Sequence, residues 1–464
     1  MMTLYVIGFI VAFLLVLASG FPVGFGLGFL GLGLMVFYTG FDQALTMGIE
    51  RAYTALDSSV LVAVPLFIFT AQLIAETGMG KRLFDAARTF LGRFRSGLGT
   101  ATIASSGIFA AMTGSSFVSA STMGLIAIPE LRKAKFSDTL ISSAITAGGS
   151  LGMVIPPSIV MIVYGYLTDE SIGKLFMAGM IPGVLLIVLY SAALALCFRL
   201  ERRGRPAPPV TLPGQDGEEQ APAAAANGGA VNSPFGQLKE AAEFVPMTKF
   251  KAFKEAFWGL LAPIIILGGI YLGVFTAPEA AGIAAIYCML IGFFIYRTLT
   301  IRKFWNALMS SAMISAMVAV IIIGGAIIGM VVVYGRIPQQ ILALIVAKDL
   351  SPLLLLLLIN LFLFFLGMFL EVLALVYLAI PLLYPVVLHM GWDNIWFAVI
   401  LLINANLALI TPPMGGVLYI VSQIGAIPIN KVIKGALLPV IIMVVLLIVI
   451  IFVPSIATWL PGMM

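Results

Sequence analysis

The sequence is short of ionisable and reactive side chains: 464 residues hold two cysteines, one histidine, 25 Lys or Arg and 20 Asp or Glu. Soluble domains carry about 25% charged residues, against 10% here. Each shortage excludes something. With His389 alone, no Cys/His cluster and few paired carboxylates, neither a catalytic triad nor a metalloprotease site is visible. Cys197 and Cys288 lie in or beside apolar runs without metal-ligand spacing, so they read as packing residues rather than a disulfide framework or zinc site. There is no GxxxxGK[ST] phosphate loop, so ATP is not expected to power this chain directly. The net charge of +5 comes from basic residues at the ends of apolar runs, which gives no reason to expect nucleic acid. Nothing here reads as an enzyme.

What is present is apolar. Hydrophobic residues make up 61% of the chain, and the mean hydropathy is +1.14. Residues 185–197, 317–334, 353–369 and 440–453 are nearly free of charge. Each belongs to a stretch long enough to cross a hydrocarbon core of roughly 30 Å, which takes about 20 residues. The expectation is an all-α polytopic membrane protein in a lipid bilayer. Apolar segments fall at 4–39, 58–76, 97–129, 138–167, 174–198, 256–274, 279–297, 304–334, 352–388, 394–423 and 432–459. Residues 1–20 lack a basic n-region and a small-residue cleavage site, so they read as a retained first span. Whether 4–39 is one bent helix or two spans turning at 19–22 stays open.

The character changes between 199 and 255. A basic start gives way to Pro/Ala/Gly-rich residues 206–229, with a possible amphipathic helix at 237–257. The Pro/Ala/Gly stretch cannot bury enough apolar surface to offset its ordering entropy and is expected to be a solvated cytoplasmic linker. It divides the chain into membrane halves 1–198 and 256–464.

The halves look alike. Residues 152–187 align with 408–443: Pro156-Pro157 falls on Pro412-Pro413 and, after a one-residue shift, Lys174 on Lys431 and Pro182 on Pro439. Upstream of each proline pair lies a long apolar stretch with a polar or Gly-containing middle, Met112 to Ser116 in one and Gly367 to Glu371 in the other. Basic residues flank the first stretch (Lys81, Arg82, Arg88, Arg93, Arg95, then Arg132, Lys133, Lys135), whereas the second has sparsely basic flanks. By the positive-inside rule the first stretch enters from the cytoplasm. The second should enter from the other side. This antisymmetry of two re-entrant hairpins and two broken helices is the signature of many secondary transporters.

Irregular backbone at membrane depth needs protein or a watery cavity to satisfy it. Thr113, Gly114, Ser115, Ser116, Ser119, Ser121 and Thr122 suit a re-entrant tip whose carbonyls and hydroxyls cage a hard monovalent cation such as sodium. A close-packed pair of helices using small residues is the plainer reading. Pro156 and Pro157, and again Pro412 and Pro413, should break their helices and leave carbonyls and amides unpaired; a simple proline kink is the alternative. Thr411 and Asn404 offer side-chain oxygens beside the second break. Glu371, the only acid in the second hairpin, could neutralise a cation, carry a proton or cap the hairpin tip. Arg336 and Lys348 could attract an anion, though solvated loop charges explain them as well. The candidate substrate contacts are Ser119, Thr122, Ser158, Glu371 and Asn404.

The chain resembles the DctM-like large membrane subunit of TRAP (tripartite ATP-independent periplasmic) transporters. The marks are Val64-Pro65-Leu66-Phe67-Ile68, Gly114-Ser115-Ser116, the run Gly152 to Ser158, Gly367 to Glu371 and Thr411-Pro412-Pro413-Met414-Gly415. They are spread over nearly all of the chain outside the linker. The resemblance implies a multi-pass protein of the bacterial inner membrane, importing a small organic acid with sodium. It implies a periplasmic binding protein that delivers the solute and a separate small membrane subunit of four helices. Elevator-like movement is implied too. Gly114, Ser115, Ser116, Gly149, Ser150 and Pro156 would then line one sodium site, Gly367, Thr411, Pro412 and Gly415 the other, with substrate between the hairpin tips. The continuation Phe117-Val118-Ser119-Ala120-Ser121-Thr122 departs from the family's Ala/Thr-rich pattern, and the long linker at 206–235 is unusual. A stand-alone ion-coupled anion carrier of related two-hairpin design, proton coupling through Glu371, and a channel or membrane scaffold are the competing readings.

Overall fold

The computed structural model describes residues 20–91, 96–203, 247–413 and 415–464. Expectations for the first 19 residues, Arg93, Arg95 and most of the linker with the start of its amphipathic helix lie outside these. Among the described residues the chain is helical and has no strand. Among the described residues seven helical spans are long and apolar enough to cross a membrane, and an eighth results if the bent pair at 63–91 counts as one. The protein is a multi-pass membrane protein.

The first half contains α1 (Val23–Thr39), α2 (Phe41–Leu56), α3 (Ala63–Thr77) and α4 (Met79–Leu91), with a 63° bend between α3 and α4. Then come α5 (Gly97–Thr113), α6 (Ser116–Lys133), α7 (Asp138–Val154), α8 (Ile159–Thr168) and α9 (Ile172–Arg203). The second half has α10 (Lys249–Tyr271), α11 (Ala277–Leu290) ending in a π turn, α12 (Ile301–Tyr334) and α13 (Ile337–Ala347). It continues with α14 (Pro352–Gly367), α15 (Val372–His389), α16 (Asn394–Leu409), α17 (Gly416–Gly425), α18 (Ile429–Phe452) and the short α19 (Ser455–Thr458). Helix starts follow capping chemistry: the side chains of Ser137, Thr248, Thr300, Ser351 and Asp393 each accept a backbone N–H three residues on, which satisfies donors that a helix leaves unpaired.

One order of elements occurs twice: a two-helix hairpin (α5–α6, α14–α15) followed by an interrupted helix (α7–α8, α16–α17). Their lengths match closely, 17 and 18 residues against 16 and 18 for the hairpins, 17 and 10 against 16 and 10 for the interrupted helices. Polar contacts fix their directions. At one end of the molecule Lys431 Nζ lies 2.7 Å from the Asp138 carboxylate, and Arg132 donates to the Gly425 carbonyl. Arg88 pairs with Glu130 there. At the other end Asn394 donates to Glu170 (2.8 Å), and Tyr384 donates to the Thr168 carbonyl (3.3 Å). The first interrupted helix therefore begins at the end where the second finishes. The two run antiparallel, and the hairpins open toward opposite ends.

The other helices pack through small residues. Apolar lipid offers no hydrophobic drive for helix association, so close backbone approach and dispersion must supply it. Gly24 and Gly28 of α1 face Gly324 of α12; a Cβ built on Gly324 would lie 2.0 Å from the Gly24 carbonyl oxygen. Large apolar side chains such as Phe29, Phe37, Met313 and Leu357 are exposed on the outside, where hydrocarbon is their solvent.

Candidate functional site

Neither hairpin tip is continuous helix. The first turns at Gly114, whose φ of 61° lies in the left-handed region that glycine enters freely. Ser115 then caps α6, its hydroxyl accepting from Val118 N at 3.4 Å. The second turns through Met368, Phe369 and Leu370, and Glu371 caps α15: one carboxylate oxygen accepts from Leu373 N (2.9 Å) and Ala374 N (3.4 Å). Of the three roles open to Glu371, capping is thus visible directly, and the residue also borders the cavity described below.

The interrupted helices stop at the proline pairs. Pro156-Pro157 and Pro412-Pro413 are both cis. Proline has no N–H, so the carbonyls of Gly152 and Met153, and of Ala408 and Leu409, lose the donor four residues on. The Ala408 carbonyl finds a substitute in Thr411, whose N and hydroxyl both lie at 3.3 Å. The two breaks differ in setting. Pro156, Pro157 and Ser158 are buried, whereas Pro412 and Pro413 are exposed.

Tips and breaks meet. A Cβ on Gly114 would stand 2.2 Å from the Pro157 carbonyl oxygen, and one on Gly152 2.6 Å from Ser115. Gly367 packs on Ala408 in the same manner, at 2.5 Å. The Phe117 ring of the first tip lies against Gly416 at the second break. Asn406 of α16 crosses to the first half, donating to the Ser150 carbonyl at 2.8 Å. Between the two tips is a cavity of about 140 Å³, walled by residues 114–118, 371–373, Met153 and Val160, with Gln72 of α3 and Met317 of α12 closing it. Its surface is mostly apolar, and among the described residues no Lys, Arg or His lines it.

Among the described residues several buried polar atoms on the tips, the interrupted helices and α3 find no hydrogen-bond partner: Ser116 Oγ, Ser158 Oγ, Gln72 Nε2 and Asn406 Oδ1. An unpaired buried polar group costs about 1–3 kcal/mol; Ser116 and Gln72 line the cavity, while Ser158 and Asn406 lie on the interrupted helices beside it.

The anticipated residues do not all gather at the cavity. Gly114, Ser115, Ser116 and Glu371 line it. Ser158 lies at the first break, close to Gly114. Gly149 packs on Ala120, and the Ser150 hydroxyl is engaged with the Ala147 carbonyl and Tyr190. Thr411 donates to the Leu407 carbonyl at 2.8 Å, and Gly415 N to the Thr411 carbonyl at 3.0 Å. Ser119 bonds to Thr113 within the hairpin at 3.1 Å, Thr122 points its methyl at Gly80 of α4, and Asn404 donates to Asn360 of α14 at 2.7 Å. Gln72 and Asn406 were not anticipated. Each is an amide inside an otherwise apolar span, and that is the signal that would have found them.

These two capped tips, seated on two proline breaks, carry the motifs singled out in the sequence. A family model described as "Tripartite ATP-independent periplasmic transporter, DctM component" matches residues 10–456. The chain belongs to this family. It is similar to the sialic acid TRAP transporter large permease protein SiaM of Vibrio cholerae, 34% identical over 432 residues that cover 93% of this chain and 92% of that protein. The sialic acid TRAP transporter permease protein SiaT of Haemophilus influenzae is 32% identical across 98% of this chain, which spans 68% of that protein. The C4-dicarboxylate TRAP transporter large permease protein DctM of Pseudomonas aeruginosa is 30% identical, over 91% of this chain and 90% of that one. The chain is therefore the large permease component of a TRAP transporter, and its relatives are transport proteins rather than enzymes.

Proposed function

We propose that this permease imports a small organic acid across the bacterial inner membrane, driven by sodium ions bound at the two hairpin–break junctions. The observation that carries the reading is the cavity itself. A carboxylate cargo placed there would sit near Glu371, and no basic side chain among the described residues lines the walls. Two negative charges a few ångströms apart in a medium of low dielectric repel strongly, so cations must accompany the anion. Serine hydroxyls and released carbonyls suit sodium, a hard ion that prefers oxygen. The carboxylates carried in the names of the relatives, sialic acid and C4-dicarboxylates, indicate the class of cargo. A periplasmic binding protein delivers that cargo, and a small four-helix membrane subunit completes the permease. Hairpins and interrupted helices move together against the remaining helices in an elevator-like stroke, with the basic end of the first hairpin toward the cytoplasm.

The test is uptake into proteoliposomes containing both membrane subunits, with candidate binding proteins outside. An inward sodium gradient should raise the initial rate of carboxylate uptake at least tenfold over equal sodium on both sides. Uptake that ignored sodium but followed a pH gradient would replace this reading with proton coupling through Glu371. Uptake without any binding protein would favour a stand-alone carrier.

A further inference from the structure

We propose that a second cavity, one to two helical turns from the first, is an anion subsite that holds a small carboxylate on its way to the hairpin tips. The inference rests on the import reading above and adds a place on the route. This cavity measures about 340 Å³ and lies between α2 (Arg51), α8 (Tyr166), α12 (Gly325, Gly329, Met330) and α15 (Tyr377).

Three of these helices also line the inner cavity, and in the same direction. Along α12 the step is from Val318 to Gly325, along α8 from Val160 to Tyr166, and along α15 from Leu373 to Tyr377. At 1.5 Å per residue the separations are roughly 10, 9 and 6 Å. The outer cavity is therefore stacked on the inner one, toward the end that holds Thr168, Tyr384 and Asn394. In the proposed orientation that end faces the periplasm, where cargo arrives.

The chemistry of the walls reverses from one cavity to the next. Among the described residues the inner cavity has an acid and no base, and the outer one an arginine and no acid. Among the described residues no carboxylate lies within ion-pairing reach of Arg51, so its forked guanidinium is free to take a carboxylate. Tyr377 is 1% exposed, yet among the described residues its phenol oxygen has no hydrogen-bond partner; Arg51 and Tyr166 are polar neighbours. A buried hydroxyl left unpaired is costly, and a carboxylate held by Arg51 would supply the acceptor. Gly325 lets Tyr377 sit flush against α12, since a Cβ there would come within 2.4 Å of the Tyr377 Cβ.

The test uses the purified permease in liposomes and a thiol probe. In a background carrying Cys197→Ser and Cys288→Ser, Met330→Cys places one thiol on the wall of the outer cavity. Acetate, succinate or N-acetylneuraminate in sodium-free buffer should slow maleimide labelling severalfold, and adding Arg51→Gln should remove the protection. In uptake assays Arg51→Gln should raise the half-saturating cargo concentration roughly tenfold, the worth of one charge-assisted bond, with the maximal rate within about twofold. Labelling unaffected by all three anions, with sodium-driven uptake intact, would overturn the subsite alone. Protection that persists where uptake proves independent of sodium would uphold the subsite and remove the coupling. Protection in phosphatidylglycerol vesicles without added carboxylate, and none by the anions in phosphatidylcholine vesicles, would overturn the assignment to cargo in favour of a lipid headgroup.

Discussion

Replacing Gly114 by alanine should reduce carboxylate uptake by at least tenfold while leaving the protein folded. Two costs add at this position. Its φ of 61° is left-handed, which costs a residue with a Cβ about 1–2 kcal/mol. The new methyl would also stand 2.2 Å from the Pro157 carbonyl oxygen, a backbone atom that cannot rotate away. Relief requires the first tip to lift off the first break, and that contact is what the proposed site is built from. Since 1.4 kcal/mol is about a factor of ten, even partial relief should suppress the seated state. Gly391→Ala separates the two costs: its φ of 64° is similar, but nothing lies within 4 Å of its built Cβ. That variant should transport within about threefold of the parent. The measurement is initial uptake rate in proteoliposomes, with the melting temperature in detergent as the check on folding.

Gly324→Leu should remove most of the folded protein. The built Cβ at Gly324 falls 2.0 Å from the Gly24 carbonyl oxygen and 3.1 Å from Gly28 N, so α1 and α12 cannot close over any side chain. Overpacking a core with a few methylenes typically costs about 1–3 kcal/mol. Here the obstacle is main chain on both sides, so the penalty should reach or exceed the upper value. Gly33→Ala on the same α1 is the control, because nothing lies within 4 Å of its Cβ. It should be neutral or slightly stabilising, as alanine is the better helix former by about 1 kcal/mol. Size-exclusion profiles of the detergent-solubilised protein distinguish the outcomes: aggregation for Gly324→Leu, a parental peak for Gly33→Ala.

The spans were legible because a membrane helix announces itself by composition. The stretches read at 138–167 and 394–423 correspond to Asp138–Thr168 and the pair α16 and α17, which ends at Gly425. Both hairpin tips were legible too, through Gly114-Ser115-Ser116 and through Glu371, and both breaks through their proline pairs. Three helices were not. In α2 and α4 charges such as Asp42, Glu50, Lys81 and Arg88 interrupt the apolar run, and α13, with 11 residues, is too short to cross. For α2 and α4 the signal is amphipathic periodicity rather than bulk hydropathy, whereas α13 is apolar but short.

Within the site, sequence marked which segments unwind but not which way each helix faces. Ser119 and Thr122 follow the first tip closely, yet one bonds to Thr113 and the other meets Gly80. Rotation of α6 by packing decides that, and spacing from the tip does not. Asn404 and Asn406 sit two residues apart on α16 and so face different neighbours: Asn404 reaches Asn360, while Asn406 reaches Ser150 across the other half. Arg51 gave no sign in the sequence, because its worth depends on an unpaired phenol 326 positions further along the chain.

The most direct measurement is the sodium dependence of uptake for Ser116→Ala and Ser158→Ala, the two buried hydroxyls left without partners beside the first tip. If those oxygens help to hold the coupling ion, each variant should need severalfold more sodium for half-maximal uptake while keeping its melting temperature within a few degrees. Sodium curves that superimpose on the parent's for both variants would contradict a cation bound at that junction.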